Sequence, residues 1–134
     1  MTSDVLQAAL ATYFAPWVQA LGLRVESFDG ASVTLRLPNT EQLARSGAML
    51  SGQAMMAAAD TAMVLALINH FGEFRPCTTV QMSSSFLKPL SAQDALVQAR
   101  VVRCGKTMAF GEIDIRGAAG AGSVCRASTT YALL

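Results

Sequence analysis

The chain has 134 residues and a mass of 14.1 kDa, a size at which one domain can form its own hydrophobic core without metal ions or disulfides. Hydrophobic residues make up 52% and charged residues only 14%. This composition excludes a disordered chain and suggests that some apolar surface is buried between subunits. Ten basic side chains nearly balance nine acidic ones, and the basic ones are scattered, which argues against nucleic-acid binding.

The cysteines and the start of the chain favour a reduced, cytoplasmic protein. Cys77, Cys104 and Cys125 are odd in number and far apart, and His70 is the only histidine. Neither a disulfide framework nor a metal site is therefore expected. Met1 to Asp4 contains an acidic residue and no cleavable apolar segment, so we expect no signal peptide. The apolar stretches fall short of the roughly 20 residues that span a bilayer, so we predict no membrane segment.

The first part of the chain predicts a short helix followed by a hairpin. Val5 to Leu21 suits an amphipathic helix that is interrupted near Pro16. Arg24 to Leu37 divides at Asp29-Gly30, a typical hairpin turn. The second strand of this hairpin alternates apolar with polar side chains, as expected of a half-buried strand: Val33, Thr34, Leu35, Arg36 and Leu37. Pro38 to Gly47 is predicted to be a polar connection.

The rest of the chain predicts one long helix and then strands. Ser51 to about Asn69 is rich in Ala and Met and ends before Gly72. The predicted strands after it are Thr78 to Leu87, Ala95 to Cys104, Thr107 to Arg116 and Ser123 to Ala132. Turns are expected at Gly105-Lys106 and over Gly117 to Gly122. We predict a single α+β domain over residues 1–134, in which these four strands form a meander and the sheet packs on the long helix.

Asp60 is the one ionisable residue in the middle of this apolar helix. No residue one turn away could pair with a carboxylate: these are Met56, Ala57, Met63 and Val64. An unpartnered buried carboxylate is costly, so any partner must come from another element or subunit. Two interpretations stay open. Asp60 either lies on a narrow exposed strip or binds a neighbouring hydroxyl, as a structural residue, or it is a functional carboxylate.

The start of the same helix offers hydrogen-bond donors. Ser51 can act as the N-cap, which leaves the backbone N–H groups of Gly52 and Gln53 free at the positive end of the helix dipole. An ordinary capped helix end is the alternative. Because this helix end lies two turns before Asp60, however, one rigid helix would carry both an oxyanion donor and a general base.

Several ordered segments resemble the hotdog-fold acyl-CoA thioesterases of the phenylacetate-pathway (PaaI-like) type. They are Ser51-Gly52, Asp60-Thr61-Ala62-Met63, Thr79-Val80-Gln81-Met82 and Phe86-Leu87-Lys88-Pro89. The resemblance runs from about Arg24 to Tyr131 and rests on the ordered set. It implies an antiparallel sheet wrapped around a long helix, and a homodimer or homotetramer with its active site at the subunit interface. It also implies an acyl-CoA substrate and no cofactor other than the coenzyme A that the substrate carries.

The resemblance also implies roles for three residues. Asp60 matches the catalytic carboxylate, which acts as general base on water or attacks the thioester itself. The Gly52 N–H matches the oxyanion donor. Thr79 matches the hydroxyl that orients the carboxylate or the water, and we expect it to come from the partner subunit.

Two departures from the family pattern concern substrate binding. The family usually has His-Gly-Gly at the helix start, where this chain has Ser51-Gly52-Gln53. Upstream of the carboxylate, a position that commonly holds Asn or Gln holds Arg45. We place Gln53 and Arg45 among the substrate contacts, Arg45 as a partner of a phosphate or of the thioester oxygen.

Other substrate contacts are predicted at exposed cations and at methionines. Arg103 and Lys106, on a predicted hairpin, could contact the phosphates of coenzyme A, as could Lys88, and a solvated surface is the alternative. Met56 and Met63 could line an acyl pocket, and ordinary core packing is the alternative.

The function predicted from these residues is hydrolysis of a short-to-medium-chain or aryl acyl-CoA. The alternative is a non-catalytic acyl-CoA-binding hotdog module that serves as a sensor or scaffold. A hotdog hydratase or dehydratase is less favoured, because such enzymes generally pair an acid with a histidine and His70 lies at the far end of the helix from Asp60.

Overall fold

The protein was analysed as a computed structural model that describes residues 1–120 and 122–134. The chain opens with α1 (Ser3–Thr12) and the short α2 (Pro16–Gln19). Thr2 caps α1, because its side chain accepts a hydrogen bond from the Val5 N–H. Pro16 is the first residue of α2, the helical position at which proline costs least. The predicted interruption at Pro16 is confirmed.

The strands before the long helix are β1 (Arg24–Phe28), β2 (Ser32–Leu37) and the two-residue strands β3 (Ala44–Arg45) and β4 (Met49–Leu50). A turn of 3₁₀ helix, Glu41–Leu43, precedes β3. The predicted hairpin at Asp29-Gly30 is confirmed, and Asp29 stabilises it by accepting hydrogen bonds from the N–H groups of Ala31 and Ser32. The expectation of one wet face on β2 was wrong for Thr34, which is buried between Ser27 and Gln98 on the neighbouring strands.

The long helix α3 (Gly52–Phe71) is the centre of the domain. The Ser51 side chain caps its start by accepting from the Ala54 N–H, and Gly72 ends it in the left-handed conformation with φ 78°. Most of its side chains are buried. Those left partly or fully exposed in its first half form one stripe: Gly52, Gln53, Met56, Ala57 and Asp60. The predicted N-cap and the predicted end before Gly72 are both confirmed.

Four ten- or eleven-residue strands follow α3: β5 (Cys77–Phe86), β6 (Ala95–Cys104), β7 (Met108–Gly117) and β8 (Ser123–Leu133). They join β1 and β2 in one antiparallel sheet with the order β1-β2-β6-β7-β8-β5. The predicted meander of four strands is therefore wrong in one respect. Only β6, β7 and β8 form a meander, and β5 crosses the domain to pair with β8 at the far edge. The predicted turn over Gly117–Gly122 includes residue 121, which lies outside the described residues.

The core lies between α3 and the inner face of the sheet. Its fully buried side chains come from several elements: Leu6, Val33, Leu35, Met63, Leu65, Val97 and Ile115. At 20 residues and a mean hydropathy of 1.4, α3 is long and apolar enough to cross a bilayer, contrary to the expectation from apolar runs. The sheet covers much of it, however, since 61% of its most apolar window is buried. The helix is the core helix of an α+β domain, as the resemblance stated above implies.

Candidate active site

Asp60 lies half-buried on α3 and accepts hydrogen bonds from two hydroxyls. The Thr79 Oγ1 of β5 donates to Asp60 Oδ1 at 2.8 Å. The Tyr131 hydroxyl of β8 donates to the same oxygen and lies 2.9 Å from the main-chain oxygen of Asp60. Asp60 therefore has both features expected of a structural residue: it lies on a partly exposed strip, and it binds neighbouring hydroxyls. Both features are also compatible with a catalytic role.

The two hydroxyls meet at Asp60 because of the strand register. Thr79 and Tyr131 are directly paired across β5 and β8, so their side chains project from the same face of the sheet. Val80, the extra residue between the pairs on either side of it, forms a bulge in β5. Such bulges re-aim side chains near functional sites. The expectation that Thr79 reaches Asp60 from a partner subunit is corrected here, since the contact forms within one chain.

The surroundings of Asp60 disfavour ionisation of neighbouring acidic groups. Burial, and then the Asp60 carboxylate, raise the pKa of the Tyr131 phenol well above its usual value. Burial, and then the same negative charge, raise the pKa of the Cys77 thiol. Tyr131 is thus held in its protonated form, in which it can donate a hydrogen bond, and Cys77 is held as a thiol.

The start of α3 presents free donors, as predicted. In the described part of the chain, the N–H groups of Gly52 and Gln53 have no hydrogen-bond partner. The Phe86 ring at the end of β5 lies beside Gly52, within 3.4 Å of the position that a Cβ would occupy there. Phe86 is 48% exposed, so an apolar ring borders the open helix end.

Gly52 and Asp60 do not converge within one chain. At a rise of about 1.5 Å per residue, the step of eight positions from Gly52 to Asp60 corresponds to about 12 Å along the helix axis. A single thioester carbonyl must lie about 3 Å from its oxyanion donor and from its nucleophile or base. The two groups of one protomer are too far apart for that, so a single α3 carries a donor and a carboxylate that cannot act on the same carbonyl.

The two methionines proposed for an acyl pocket lie in different environments. Met56 is 41% exposed on the stripe between Gly52 and Asp60. Met63 is fully buried, and its sulfur occupies the space that a Cβ on Gly111 of β7 would need. Met63 is therefore a core residue in this conformation, and only Met56 borders the open stripe.

The predicted cationic contacts are spread over the molecule. Arg45 lines an open cleft of about 630 Å³ between residues 39–48 and Ala92, and its guanidinium donates to the Ser46 carbonyl and the Met49 sulfur. Lys88 follows β5, at the Phe86 end beside Gly52. Arg103 and Lys106 belong to the β6–β7 hairpin at the opposite end of the sheet. One chain does not bring these cations together.

Sequence reasoning missed Tyr131 and Phe86. Tyr131 stands at an inward-facing position of a strand, where an aromatic residue is ordinarily interpreted as core, and it is 71 residues from Asp60. The only signal was that Asp60 needed a partner from another element. Phe86 was part of a matched segment, but its position beside Gly52 depends on the crossing of β5 over α3.

Comparisons with known proteins agree with this architecture. Residues 47–122 match the family model of the thioesterase superfamily. Ta0293, an esterase-named protein of Thermoplasma acidophilum, is 25% identical over 112 residues, which cover 84% of this chain and 83% of that protein.

Among solved structures, a thioesterase-named protein from Silicibacter sp. TM1040 superposes with a TM-score of 0.89 and 28% identity, over 100% of this chain and 92% of its own. Thioesterase superfamily member 2 of zebra fish has a TM-score of 0.88 and 21% identity, over 100% of this chain and 99% of its own. A mutant thioesterase from Pseudomonas aeruginosa has a TM-score of 0.87 and 22% identity, over 100% of this chain and 94% of its own.

The family match covers more than half of the chain, and the fold agrees with it. The chain therefore belongs to the thioesterase superfamily and has the hotdog fold. Its class is that of the thioester hydrolases.

Proposed function

We propose that the protein is a PaaI-like acyl-CoA thioesterase that hydrolyses a short-to-medium-chain or aryl acyl-CoA. The observation that carries this proposal is the environment of Asp60, which lies on the core helix of a thioesterase-superfamily domain. Its half-buried carboxylate accepts hydrogen bonds from the hydroxyls of two neighbouring strands. No further cofactor takes part in the proposed reaction, because coenzyme A enters as the leaving group of the substrate. The three free cysteines are consistent with action in the reducing cytoplasm.

The chemistry needs a base or nucleophile and an oxyanion donor. In the general-base route, Asp60 takes a proton from water while the water oxygen bonds to the thioester carbon. In the nucleophilic route, Asp60 itself bonds to that carbon and water then cleaves the anhydride. In both, the Gly52 N–H stabilises the negative charge on the carbonyl oxygen. The C–S bond breaks, and coenzyme A leaves as a thiol beside the free acid.

The separation of Gly52 from Asp60 supports an active site shared between two protomers. If two α3 helices lie antiparallel across a two-fold axis, Gly52 of one chain faces Asp60 of its partner. Met56 lies midway between them on the exposed stripe, so the axis would pass near Met56. Each dimer would then hold two equivalent sites, each with a donor from one chain and a carboxylate from the other.

The free edge of the sheet supports the same dimer. β5 is a ten-residue edge strand with exposed apolar side chains such as Val80, 56% exposed. The strand at the other edge, β1, is partly covered by α1, because the Gln7 side chain accepts a hydrogen bond from the Val25 N–H. Long unprotected edges pair with other strands. We therefore propose that two copies of β5 join the sheets of a homodimer, which could double to a tetramer.

Substrate contacts follow from this assembly. Lys88 lies at the Gly52 end of β5, while Arg103 and Lys106 lie at the Asp60 end of the sheet. In a two-fold dimer, the Gly52 end of one chain is near the Asp60 end of the other, so cations from both chains could meet the phosphates of one coenzyme A. We further propose that Arg45 and Gln53 border the substrate entrance and that Met56 contacts the acyl group.

The experiment that tests this function is thiol release from acetyl-, medium-chain-, long-chain- and phenylacetyl-CoA by the wild type and by Asp60→Asn. The asparagine keeps an oxygen that can accept from Thr79 and Tyr131, so the variant should fold normally. We expect its turnover to fall by about 10²- to 10⁴-fold. Full turnover in well-folded Asp60→Asn would refute the catalytic assignment.

The same assay separates the enzyme from the alternative, an acyl-CoA-binding sensor or scaffold. Binding alone raises the unfolding temperature in the presence of an acyl-CoA but releases no thiol. A wild type that is stabilised by acyl-CoA and releases no thiol from any of these substrates would favour the binding module.

A further inference from the structure

Tyr131 contacts the active-site carboxylate, and the reaction steps described above assign it no role of its own. Its side chain is 1% exposed, and its hydroxyl reaches both the Oδ1 and the main-chain oxygen of Asp60. A hydroxyl carries one proton, and the nearer acceptor is the carboxylate oxygen. The phenol therefore acts as a donor to the charged group, with the main-chain oxygen as a second contact.

The two hydroxyls bind the same carboxylate oxygen. Thr79 and Tyr131 both donate to Oδ1 of Asp60, and no donor to Oδ2 occurs in residues 1–120 and 122–134. A carboxylate with one oxygen bound twice has a defined orientation, because rotation about its terminal bond breaks both hydrogen bonds. Oδ2 is left as the oxygen with free lone pairs.

Tyr131 is suited to be a permanent donor. Burial, and then the Asp60 charge, raise the pKa of its phenol well above its usual value, so it keeps its proton throughout the pH range in which thioesters are hydrolysed. Threonine hydroxyls rotate freely and can also accept, whereas a buried phenol is held by the packing of its ring.

We propose that Tyr131 is a positioning residue that, together with Thr79, directs Oδ2 of Asp60 toward the reacting water or thioester. The proposal rests on the proposed function of Asp60. It makes Oδ2 the oxygen that takes the proton from water, or that bonds to the thioester carbon, while Oδ1 stays bound to its two donors.

The test compares Tyr131→Phe with the matched control Thr129→Val. Thr129 lies two residues earlier on β8, is equally buried, and has a hydroxyl without a partner among the described residues. Each variant therefore removes one buried hydroxyl from the same face of one strand, and only the first removes a donor to Asp60. The readouts are kcat and KM of thiol release, with circular dichroism as the check of folding.

For Tyr131→Phe we expect kcat to fall by about 10- to 100-fold, the usual effect of losing a hydrogen bond to a charged group, with KM little changed. A loss in kcat with KM unchanged indicates that an interaction made in the transition state has been removed, whereas substrate binding is intact. Thr129→Val should keep the wild-type kcat and KM.

Wild-type kcat in Tyr131→Phe would overturn the proposal, as would equal losses in both variants, which would indicate a packing effect. Should Tyr131→Phe fail to fold, 4-fluorophenylalanine at position 131 fills the place of the hydroxyl with a fluorine, which cannot donate a hydrogen bond. The same fall in kcat is then expected, and a wild-type kcat would count against the proposal. Failure of the proposed function is distinguished by Asp60→Asn, which would then retain full turnover.

Discussion

The shared active site predicts that Gly52→Pro folds normally and abolishes turnover. Gly52 is the first residue of α3, where the missing N–H of proline costs the helix nothing. Ser51 has φ −69° and ψ 149°, the extended conformation that a residue before proline prefers. The added Cβ lies 3.4 Å from the Phe86 ring, at the lower limit of an ordinary van der Waals contact. The substitution therefore removes the proposed oxyanion donor with little structural cost.

The expected loss follows from the role of the donor. Removing one oxyanion-hole donor costs about 10²- to 10³-fold in kcat, or about 2.7–4 kcal/mol of transition-state stabilisation. Gly52→Ala is the matched control, because it adds the same Cβ beside Phe86 and retains the N–H. We expect Gly52→Ala to stay within a few-fold of the wild type, measured as thiol release under saturating acyl-CoA.

Mixing two inactive variants tests whether the donor and the carboxylate come from different chains. Gly52→Pro and Asp60→Asn are co-expressed with different affinity tags, or are unfolded and refolded together. In a mixed dimer one site has lost both groups, and the other has an intact Gly52 from one chain and an intact Asp60 from the other. Random assembly makes about half of the dimers mixed, so about a quarter of wild-type activity should return.

Two outcomes would refute this reasoning. If Gly52→Pro retains wild-type turnover, its N–H is not the oxyanion donor. If the mixture contains mixed dimers, as shown by sequential purification on both tags, and yet no activity returns, the site does not combine Gly52 and Asp60 from different chains.

Two further predictions concern the packing and the electrostatics around the site. Gly111→Ala should lower the free energy of unfolding by about 1–3 kcal/mol, because its Cβ would overlap the Met63 sulfur. The loss, measured by denaturant unfolding, should be smaller in a Met63→Ala background. Equal losses in both backgrounds would contradict the packing explanation. Asp60→Asn should speed alkylation of Cys77 by iodoacetamide at a fixed pH near 8, because the Asp60 charge contributes to the raised pKa of that thiol. An unchanged rate, followed by peptide mass spectrometry, would show that access alone limits the reaction.

Much of the local structure was predictable because its determinants lie close together in the chain. Ser51 and Gly72 bound α3 through contacts within a few residues, and Asp29-Gly30 closes its hairpin in the same way. The exception among the strands was β5, which has neighbours on both sides in sequence and pairs with neither. Alternation of side chains identifies a strand but does not specify its partner.

The candidate site also has features that the sequence predicts and features that depend on the tertiary structure. The sequence by itself identified Asp60 as an ionisable residue that needs a partner and Gly52 as a free helix start, because an apolar helix makes both conspicuous. Only the tertiary structure brought Tyr131 and Thr79 to the same carboxylate oxygen, since that contact depends on strand register and on a bulge in β5. The separation of Gly52 from Asp60 by two helical turns, by contrast, already follows from their positions in the sequence, because the rise of a helix is fixed.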